Sequence, residues 1–380
     1  MAQLVLDRRR SRSSWRQLLL HVDVLLVFTT LAVSALGVLM VYTATRAQLI
    51  QQGLSPHHFL DRQAVWTLLG VGVMLVLAAV DYHRFEELGY VAYGALLLAL
   101  LGVYVVGRSA LGSQRWYQLG PVQLQPSAFA ALALILAVAA YCHRHQEAGL
   151  TARRVGALVV MALVPTVLVV KQPDLGSGIV MVVTFIAMLV VAGVRIRYLV
   201  ALAVLGLVGI VAVVSLGMLK SYQTNRLTTF LHPSATGAAG YNLRQSKIAI
   251  GSGSLTGKGL FDAPQTNLGY VPEQYTDFIF TAVGEQLGFA GAASLLALFA
   301  LMLWRILRAA QMAKDQYGRL LCAGVLGLVA FSVFQNAGMT MGLMPITGIP
   351  LPFVSYGGSA TIAFFAGIGL VLNVAMRRHV

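Results

Sequence analysis

Residues 22–45 read VDVLLVFTTLAVSALGVLMVYTAT, and this run decides the class of protein. Its only charged side chain is Asp23, close to its start. A helix needs about 20 apolar residues to cross the hydrocarbon core of a bilayer. Because the run lacks the alternation of apolar and polar residues that a barrel strand shows, it predicts a membrane-spanning helix.

Similar apolar runs recur along the whole chain. Of the 380 residues, 58% are hydrophobic and 11% are charged, whereas soluble domains are about 25% charged. The sequence therefore predicts an all-α integral membrane protein, a polytopic bundle of about ten transmembrane helices with re-entrant or broken segments. We expect a single transmembrane domain over residues 1–380, with a large extracytoplasmic loop over 220–275. The predicted spans are 22–45, 63–81, 88–106, 127–142, 155–171, 178–194, 198–219, 276–304, 320–342 and 359–376.

The net charge of +14 is explained by membrane orientation rather than by nucleic-acid binding. With the N-terminus inside, most of the 27 Lys and Arg fall in the cytoplasmic segments, as the positive-inside rule expects. The outer connections are richer in Gly, Pro and aromatic residues than the short inner ones. We therefore predict cytoplasmic N- and C-termini, an extracytoplasmic active site and no nucleic-acid partner.

The long outer loop contains two patterned stretches. In NLRQSKIAIG, residues 242–251, Arg244 and Lys247 are three apart and share a helix face, which predicts a short amphipathic helix at the membrane interface. The following GSGSLTGKG is not a P-loop, since Gly259 follows Lys258 where Ser or Thr is required. It is either a flexible turn or a backbone nest that places Lys258 near a lipid-borne diphosphate.

Two other stretches interrupt apolar spans. In KQPDLGSG, residues 171–178, Pro173 breaks the helix, and Asp174 either caps the next helix or faces a polar cavity. The segment MPITGIPLPFVSYGGSA, residues 344–360, predicts a re-entrant piece packed into the bundle, with Ser355 as a cavity-lining donor.

Carboxylates at the mouth of the eighth predicted span need an explanation, because charge inside a membrane is costly. The stretch EQYTDFIFTAVGEQLG opens with Glu273 and contains Asp277 and the deeper Glu285. Asp277 is either a first-turn acid that favours the helix dipole or a group that does chemistry. Glu285 is either a paired structural carboxyl or a functional group.

Several motifs together resemble the SEDS family (shape, elongation, division and sporulation), and its RodA branch most closely. These are LQPSAFA, QPDLGSG, GYNLRQSKIAIGSGSLTGKG, LGYVPEQYTDFIFTAVGEQLGFAG and PITGIPLPFVSYGGSA, which occur in this order over essentially the whole chain. The resemblance implies a polymerase of peptidoglycan glycan strands in the bacterial cytoplasmic membrane. It would use lipid II, extend the nascent strand and release undecaprenyl diphosphate during cell elongation. It also implies a class B penicillin-binding protein as partner, together with the elongation machinery.

The resemblance implies that Asp277 is the catalytic residue, since the Asp of the family's TDFIF motif is required for activity. We expect it to be the general base toward an acceptor sugar hydroxyl. The departing diphosphate would be stabilised by basic groups or by a divalent cation, Mg²⁺ or Mn²⁺. The residues predicted to contact substrate or diphosphate are Lys247, Arg226, Arg244, Lys258, Glu273, Gln172, Asp174, Glu285 and Ser355. The sequence does not identify the ligands of this cation.

The chain departs from the family pattern after LQPS. Ala128 and Ala131 stand where the family usually has Glu and Lys, so an acid and a base are missing together. This keeps two alternatives open beside the polymerase: a flippase or transporter of lipid-linked precursors, and a non-catalytic scaffold for a class B penicillin-binding protein. A transporter needs a route of polar groups to the inner side, and few charges lie in the inner halves of the predicted spans.

Overall fold

A computed structural model describes residues 21–110, 113–120, 122–146, 149–215 and 237–378, together with Thr224 and Phe230. Helices make up most of this part of the chain, and a small sheet interrupts them after the third helix. The elements are α1 (Val24–Gln51), α2 (His58–Ala79), α3 (Arg84–Val106), β1 (Arg108–Ala110), β2 (Ser113–Leu119), β3 (Val122–Leu124), α4 (Ser127–Arg144), α5 (Ala152–Lys171), α6 (Leu175–Val191), α7 (Ile196–Ser215), α8 (Ala238–Ser252), α9 (Pro264–Asn267), α10 (Ile279–Gln311), α11 (Gln316–Met341) and α12 (Gly358–Met376).

The predicted fold class is confirmed. Among the described residues, 8 helices are long and apolar enough to cross a membrane: α1 to α5 and α10 to α12. Two further apolar stretches are shorter within that part of the chain: Leu175–Val191, which is α6, and Ile196–Gly209 within α7. Each of the ten predicted spans overlaps one of these ten helices, and the chain is a multi-pass membrane protein.

Three helices form the centre of the bundle. Buried residues make up 89% of the most apolar window of α12, 72% of that of α11 and 67% of that of α4, against 22–44% for the other long spans. Small residues allow close packing between helices, as is common in membranes. At Gly70 a Cβ atom would overlap the ring of Phe365, and this contact brings α2 close along α12.

A three-stranded antiparallel sheet, in the order β1-β2-β3, connects α3 to α4. The sequence did not predict it, because strands this short within a Gly-rich connection carry little pattern. The Tyr117 hydroxyl on β2 donates to the Ala99 carbonyl at 2.8 Å, which attaches the sheet to α3. Arg115 donates through Nε to the Gln172 carbonyl at 2.8 Å, which attaches it to the α5–α6 connection.

Helix α8 is longer than predicted and differs in its surroundings. It was expected to lie at the membrane interface, but Leu243, Ser246 and Ala249 are buried against α10 and α11. The Ser246 hydroxyl lies 2.7 Å from the Thr281 hydroxyl and donates to the Thr340 carbonyl at 2.7 Å. This buried polar face requires a protein surface, so α8 is part of the bundle.

The membrane helix α10 is broken at Gly288, which has φ 65° and ψ −165°. The loop segment 253–259 fills the break. Its Lys258 and Gly259 N–H groups donate to the Glu285 and Gln286 carbonyls at 2.9 and 3.1 Å. In return, Phe289 N–H donates to a carbonyl of the segment, that of Ser254, at 2.9 Å.

This exchange corrects both interpretations of GSGSLTGKG. The stretch is neither a flexible turn nor a nest with free N–H groups, because its Lys258 and Gly259 N–H groups are used by α10. Irregular backbone within a bundle is tolerated where its polar groups are satisfied in this way. We call residues 253–259 the strap.

Candidate active site

A cavity of about 1480 Å³ lies between α2, the sheet, the start of α4, the α5–α6 connection, the turn before α10, α11 and the start of α12. Its wall carries both charges and aromatic rings. The charged lining residues are Asp61, Arg62, Arg115, Asp174, Glu273 and Asp277, and Trp66, Trp116 and Tyr356 also line it. Leu328, Ala363 and Phe364 make one part of the wall apolar.

Asp277 reaches this cavity from a tight turn. Glu273 adopts a positive φ of 52°, and its carbonyl accepts from the N–H groups of Thr276, Asp277 and Phe278 at 3.3, 3.1 and 3.3 Å. The Asp277 carbonyl in turn accepts from Asn336 Nδ2, which is buried on α11, at 2.8 Å. The backbone at Asp277 is therefore fixed on both sides.

The helix-dipole explanation for Asp277 does not apply. Helix α10 begins at Ile279, its N-cap is Phe278, and its first turn contains no acidic residue. An acid stabilises a helix through the dipole only within the first turn or at the cap. Asp277 instead precedes the helix and lines the cavity, as a chemical role requires.

Aromatic residues pack beside this turn. The rings of Phe59, Tyr275 and Tyr356 lie within 5.7 Å of one another, centroid to centroid. Burial, together with the charge of Glu273 and the neighbouring Tyr356, raises the pKa of Tyr275. Its phenol therefore stays protonated at neutral pH.

Asp174 combines its two predicted roles. Its Oδ1 accepts from the Ser177 N–H at 3.2 Å, so it caps α6. Its Oδ2 accepts from the Ser127 hydroxyl at 2.8 Å and from Gln125 Nε2 at 3.3 Å, and the side chain lines the cavity. Within the described residues no cationic side chain pairs with this carboxylate, which is only 6% exposed.

Ala128 and Ala131 also line the cavity, on the first turns of α4. The departure from the family pattern therefore falls within the site. The neighbouring Ser127, the first residue of α4, donates a hydrogen bond to Asp174. Alanine at both positions leaves this wall without an acid or a base of its own, while the hydroxyl contact holds Asp174 in place.

Three predicted contact residues lie outside the cavity lining and are explained by packing. Ser355 accepts from the Leu351 N–H at 2.8 Å, and Gln172 Nε2 donates to the Leu100 carbonyl at 2.8 Å; both side chains are buried. The Lys247 side chain lies against Gly342, the left-handed residue that ends α11. A cation there stabilises the negative, carbonyl end of the helix dipole. The structure gives each of them a role within the fold.

Glu285 is likewise structural. It is fully buried, Oε1 accepts from the Gln265 N–H at 2.8 Å, and Oε2 accepts from the Thr266 N–H and hydroxyl at 2.9 and 2.6 Å. Both oxygens are thus used at the start of α9. The predicted substrate contact of Glu285 is not supported, because the carboxylate is directed toward the loop and does not line the cavity.

We expect Glu285→Gln to lower the free energy of unfolding by about 1–3 kcal/mol, because an amide nitrogen would replace one acceptor facing these donors. Thermal unfolding of the purified chain in detergent would measure the loss. Glu87→Gln, at an exposed acid on α3, is the matched control and should change stability far less. Equal stability of the two variants would contradict the structural role.

Of the remaining predicted cations, Arg244 and Lys258 are exposed and do not line the cavity. Arg226 lies outside the described residues. Instead, Arg62 and Arg115 bring positive charge to the lining, and sequence reasoning did not single them out. Trp116 on β2 also lies in the cavity wall.

Comparison with known proteins identifies the family. A sequence model described as FTSW_RODA_SPOVE, cell cycle protein, matches residues 23–380. The chain belongs to the FtsW/RodA/SpoVE family. This confirms the SEDS membership that the motifs predicted.

Members of the FtsW/RodA/SpoVE family resemble the chain over nearly its full length. Peptidoglycan glycosyltransferase MrdB of Escherichia coli (strain K12) is 33% identical over 373 residues, which is 98% of this chain and 98% of that protein. Stage V sporulation protein E of Bacillus subtilis (strain 168) is 36% identical over 358 residues, 93% of this chain and 96% of that protein.

Solved structures of the FtsW/RodA/SpoVE family share the fold. The rod shape determining protein RodA of Thermus thermophilus is 32% identical, with a TM-score of 0.69 over 94% of this chain and 98% of that one. A chain from a peptidoglycan synthase complex, studied for the coordination of polymerization and crosslinking, is 32% identical. Its TM-score is 0.77 over 94% of this chain and 98% of that one.

Proposed function

We propose that the chain is a peptidoglycan glycosyltransferase that polymerises glycan strands from lipid II in cell elongation and shape maintenance. The observation that carries this function is the placement of Asp277, which lies in a fixed turn, lines a cavity of about 1480 Å³ and does not cap its helix. The names of the curated relatives support the same reaction class.

The proposed reaction is a single displacement. Asp277 takes the proton of an acceptor sugar hydroxyl, and that oxygen forms a bond to the anomeric carbon of the donor. The bond between this carbon and the diphosphate oxygen breaks, and undecaprenyl diphosphate leaves with the electron pair. One displacement inverts the donor configuration, so no covalent carboxylate intermediate is needed.

A divalent cation fits the charge of the cavity. The lining contains four carboxylates and two arginines, a formal excess of two negative charges before substrate binds. The Glu273 carboxylate is the donor type that Mg²⁺ prefers, and Mg²⁺ is often held by one or two carboxylates plus substrate phosphates. When bound, the ion would offset negative charge on the departing diphosphate. Among the described residues, no group of three or more His, Cys, Asp or Glu side chains could hold a metal ion without the substrate.

Orientation and partners complete the proposal. The cavity faces the outer side of the cytoplasmic membrane, both termini are cytoplasmic, and a class B penicillin-binding protein crosslinks the strands that the chain makes. The charge distribution supports the orientation. A similar chain in a peptidoglycan synthase complex supports a transpeptidase partner within the elongation machinery.

The direct test is polymerisation of labelled lipid II by the purified chain with its transpeptidase, with and without Mg²⁺ or Mn²⁺. We expect glycan polymer that increases with the divalent cation, together with tolerance of Ala128 and Ala131. Absence of polymer from a folded, partner-bound chain would contradict the proposed glycosyltransferase activity and favour a role as a non-catalytic scaffold. Movement of lipid II across vesicles without polymer would favour the flippase.

A further inference from the structure

The proposed reaction leaves one question that the cavity itself addresses: which groups of the chain hold the anionic part of a lipid-linked substrate. The basic loop residues were the obvious choice, yet Lys247, Arg244 and Lys258 do not line the cavity. Within the described residues, its cationic lining consists of Arg62 and Arg115. These two arginines lie on separate segments, α2 and β2, and line the same cavity as the N-terminus of α12.

Arg62 is available to a ligand. It shares one face of α2 with Val65, Trp66 and Leu69, at spacings of three, four and seven residues, and all four line the cavity. The side chain is exposed and makes no hydrogen bond or ion pair with any residue that the structure describes, including its neighbour Asp61. A guanidinium group carries five N–H donors and no acceptor, so within the described residues all the Arg62 donors are left for a ligand.

Arg115 is held in place and retains donors. Its Nε donates to the Gln172 carbonyl at 2.8 Å, and its Nη2 donates to the Pro173 carbonyl. These contacts fix the plane of the guanidinium against the α5–α6 connection. The Nη1 group makes no hydrogen bond within the described part of the chain, so an ordered cation with free donors lines the cavity.

The N-terminus of α12 adds backbone donors beside Arg62. Residues 357–360 line the cavity, and the N-cap Gly357 makes no side-chain capping bond. The first hydrogen bond of the helix is donated by Thr361, so the preceding N–H groups of the first turn have no acceptor in the described chain. Such free N–H groups and the positive end of the helix dipole favour anions.

The Trp66 side chain packs the Arg62 helix, α2, against the N-terminus of α12. Its indole ring occupies the space where a Cβ atom at Gly358 would lie, with Nε1 2.9 Å from that position. Arg62 is one helical turn before Trp66 on the same face of α2. The ring contact therefore places the Arg62 face of α2 directly against the start of α12, and Gly358 is required because any side chain there would displace the ring.

From this arrangement we propose that Arg62, Arg115 and the N-terminus of α12 form a binding site for the diphosphate of a polyprenyl-linked donor. The inference rests on the proposed function and assigns its anion site. Two planar guanidinium groups and a helix N-terminus match the multiple oxygens of a diphosphate. Two of the four lining carboxylates have other roles, since Asp174 is hydrogen-bonded to Ser127 and Ser177 and Asp277 is the proposed base.

Arg62 is the residue to test, because removing Arg115 would also detach the sheet from α5. The variants are Arg62→Gln and Arg62→Lys, with Lys171→Gln as the control, an exposed cation outside the cavity lining. Thermal unfolding should show that all three fold like the unchanged protein. Binding of farnesyl diphosphate, farnesyl monophosphate and farnesol to the full chain in detergent is then compared by calorimetry.

We expect the unchanged chain to prefer the diphosphate, and Arg62→Gln to weaken it by about 10- to 100-fold, the factor of a charge-assisted hydrogen bond. Farnesol binding should not change. The diphosphate affinity of Arg62→Lys should lie between those of the unchanged chain and Arg62→Gln, since lysine keeps the charge but lacks the planar pair of donors. The affinity of Lys171→Gln should match that of the unchanged chain. Equal diphosphate affinity in Arg62→Gln, or no preference for diphosphate in the unchanged chain, would overturn the site.

This outcome is separable from that of the proposed function. If the unchanged chain polymerises lipid II and Arg62→Gln does so with the same KM, the function stands and the diphosphate site fails. If the unchanged chain binds the diphosphate through Arg62 but makes no polymer, the diphosphate site is supported and the proposed glycosyltransferase activity is contradicted.

Discussion

Replacing Asp277 by Asn should reduce glycan polymerisation by about 10²- to 10⁴-fold, the contribution of a general base. The amide keeps the size of the side chain but cannot accept the proton of a sugar hydroxyl. The turn should persist, since it is held by the Glu273 carbonyl and by Asn336, neither of which bonds to the Asp277 carboxylate. Polymer length and yield from labelled lipid II measure the loss.

The matched control for this variant is Asp262→Asn. Asp262 is an exposed carboxylate of the same loop region and does not line the cavity, so its loss should leave polymerisation unchanged. Binding of the transpeptidase partner should be preserved in both variants. Polymerisation by Asp277→Asn within a factor of about three of the unchanged chain would remove Asp277 from the role of base.

The second large effect concerns the break in α10. We expect Gly288→Ala to lower the free energy of unfolding by about 3 kcal/mol or more, because its φ and ψ are adopted almost only by glycine. A Cβ atom there would also overlap the Gly257 N atom and lie 2.8 Å from the Leu255 carbonyl carbon. The strap would have to leave the break, exposing backbone groups of both segments.

Gly251→Ala is the appropriate comparison. Gly251 lies in α8 with no atom within 4 Å of the added Cβ. Alanine there should be neutral or stabilising by roughly 0.5–1 kcal/mol, since it restricts the unfolded chain. The melting temperatures of the two variants in detergent give the answer. A Gly288→Ala variant as stable as Gly251→Ala would show that the strap does not require the break.

The membrane spans could be predicted because bilayer thickness imposes a length on every apolar run. Asp277 could be singled out because a carboxylate at the mouth of a span is conspicuous against apolar neighbours, whereas its catalytic role is what the family resemblance implies. That Asp277 precedes α10 without capping it could not be predicted, because the start of the helix depends on the turn that Glu273 forms. Glu285 looked equally conspicuous, and only the folded loop shows that Gln265 and Thr266 satisfy it.

The cations of the cavity were missed for a related reason. Sequence reasoning favoured the basic residues that precede the Asp277 motif, but α8 packs against α10 and α11 and directs Lys247 to Gly342. Arg62 and Arg115 lie far from Asp277 along the chain, and each has neighbours typical of an ordinary membrane-edge segment. Only the folding of α2 and the sheet around one cavity places both arginines in its lining.

The strap has a mechanical consequence. Because Gly288 divides α10, the stretch from Ile279 to Leu287 does not continue the rod that runs to Gln311. This short stretch is joined instead to the outer loop, through the strap at one end and through Glu285 and α9 along its side. The turn that carries Asp277 is therefore connected directly to the outer loop, whereas the break at Gly288 separates it from the membrane half of α10.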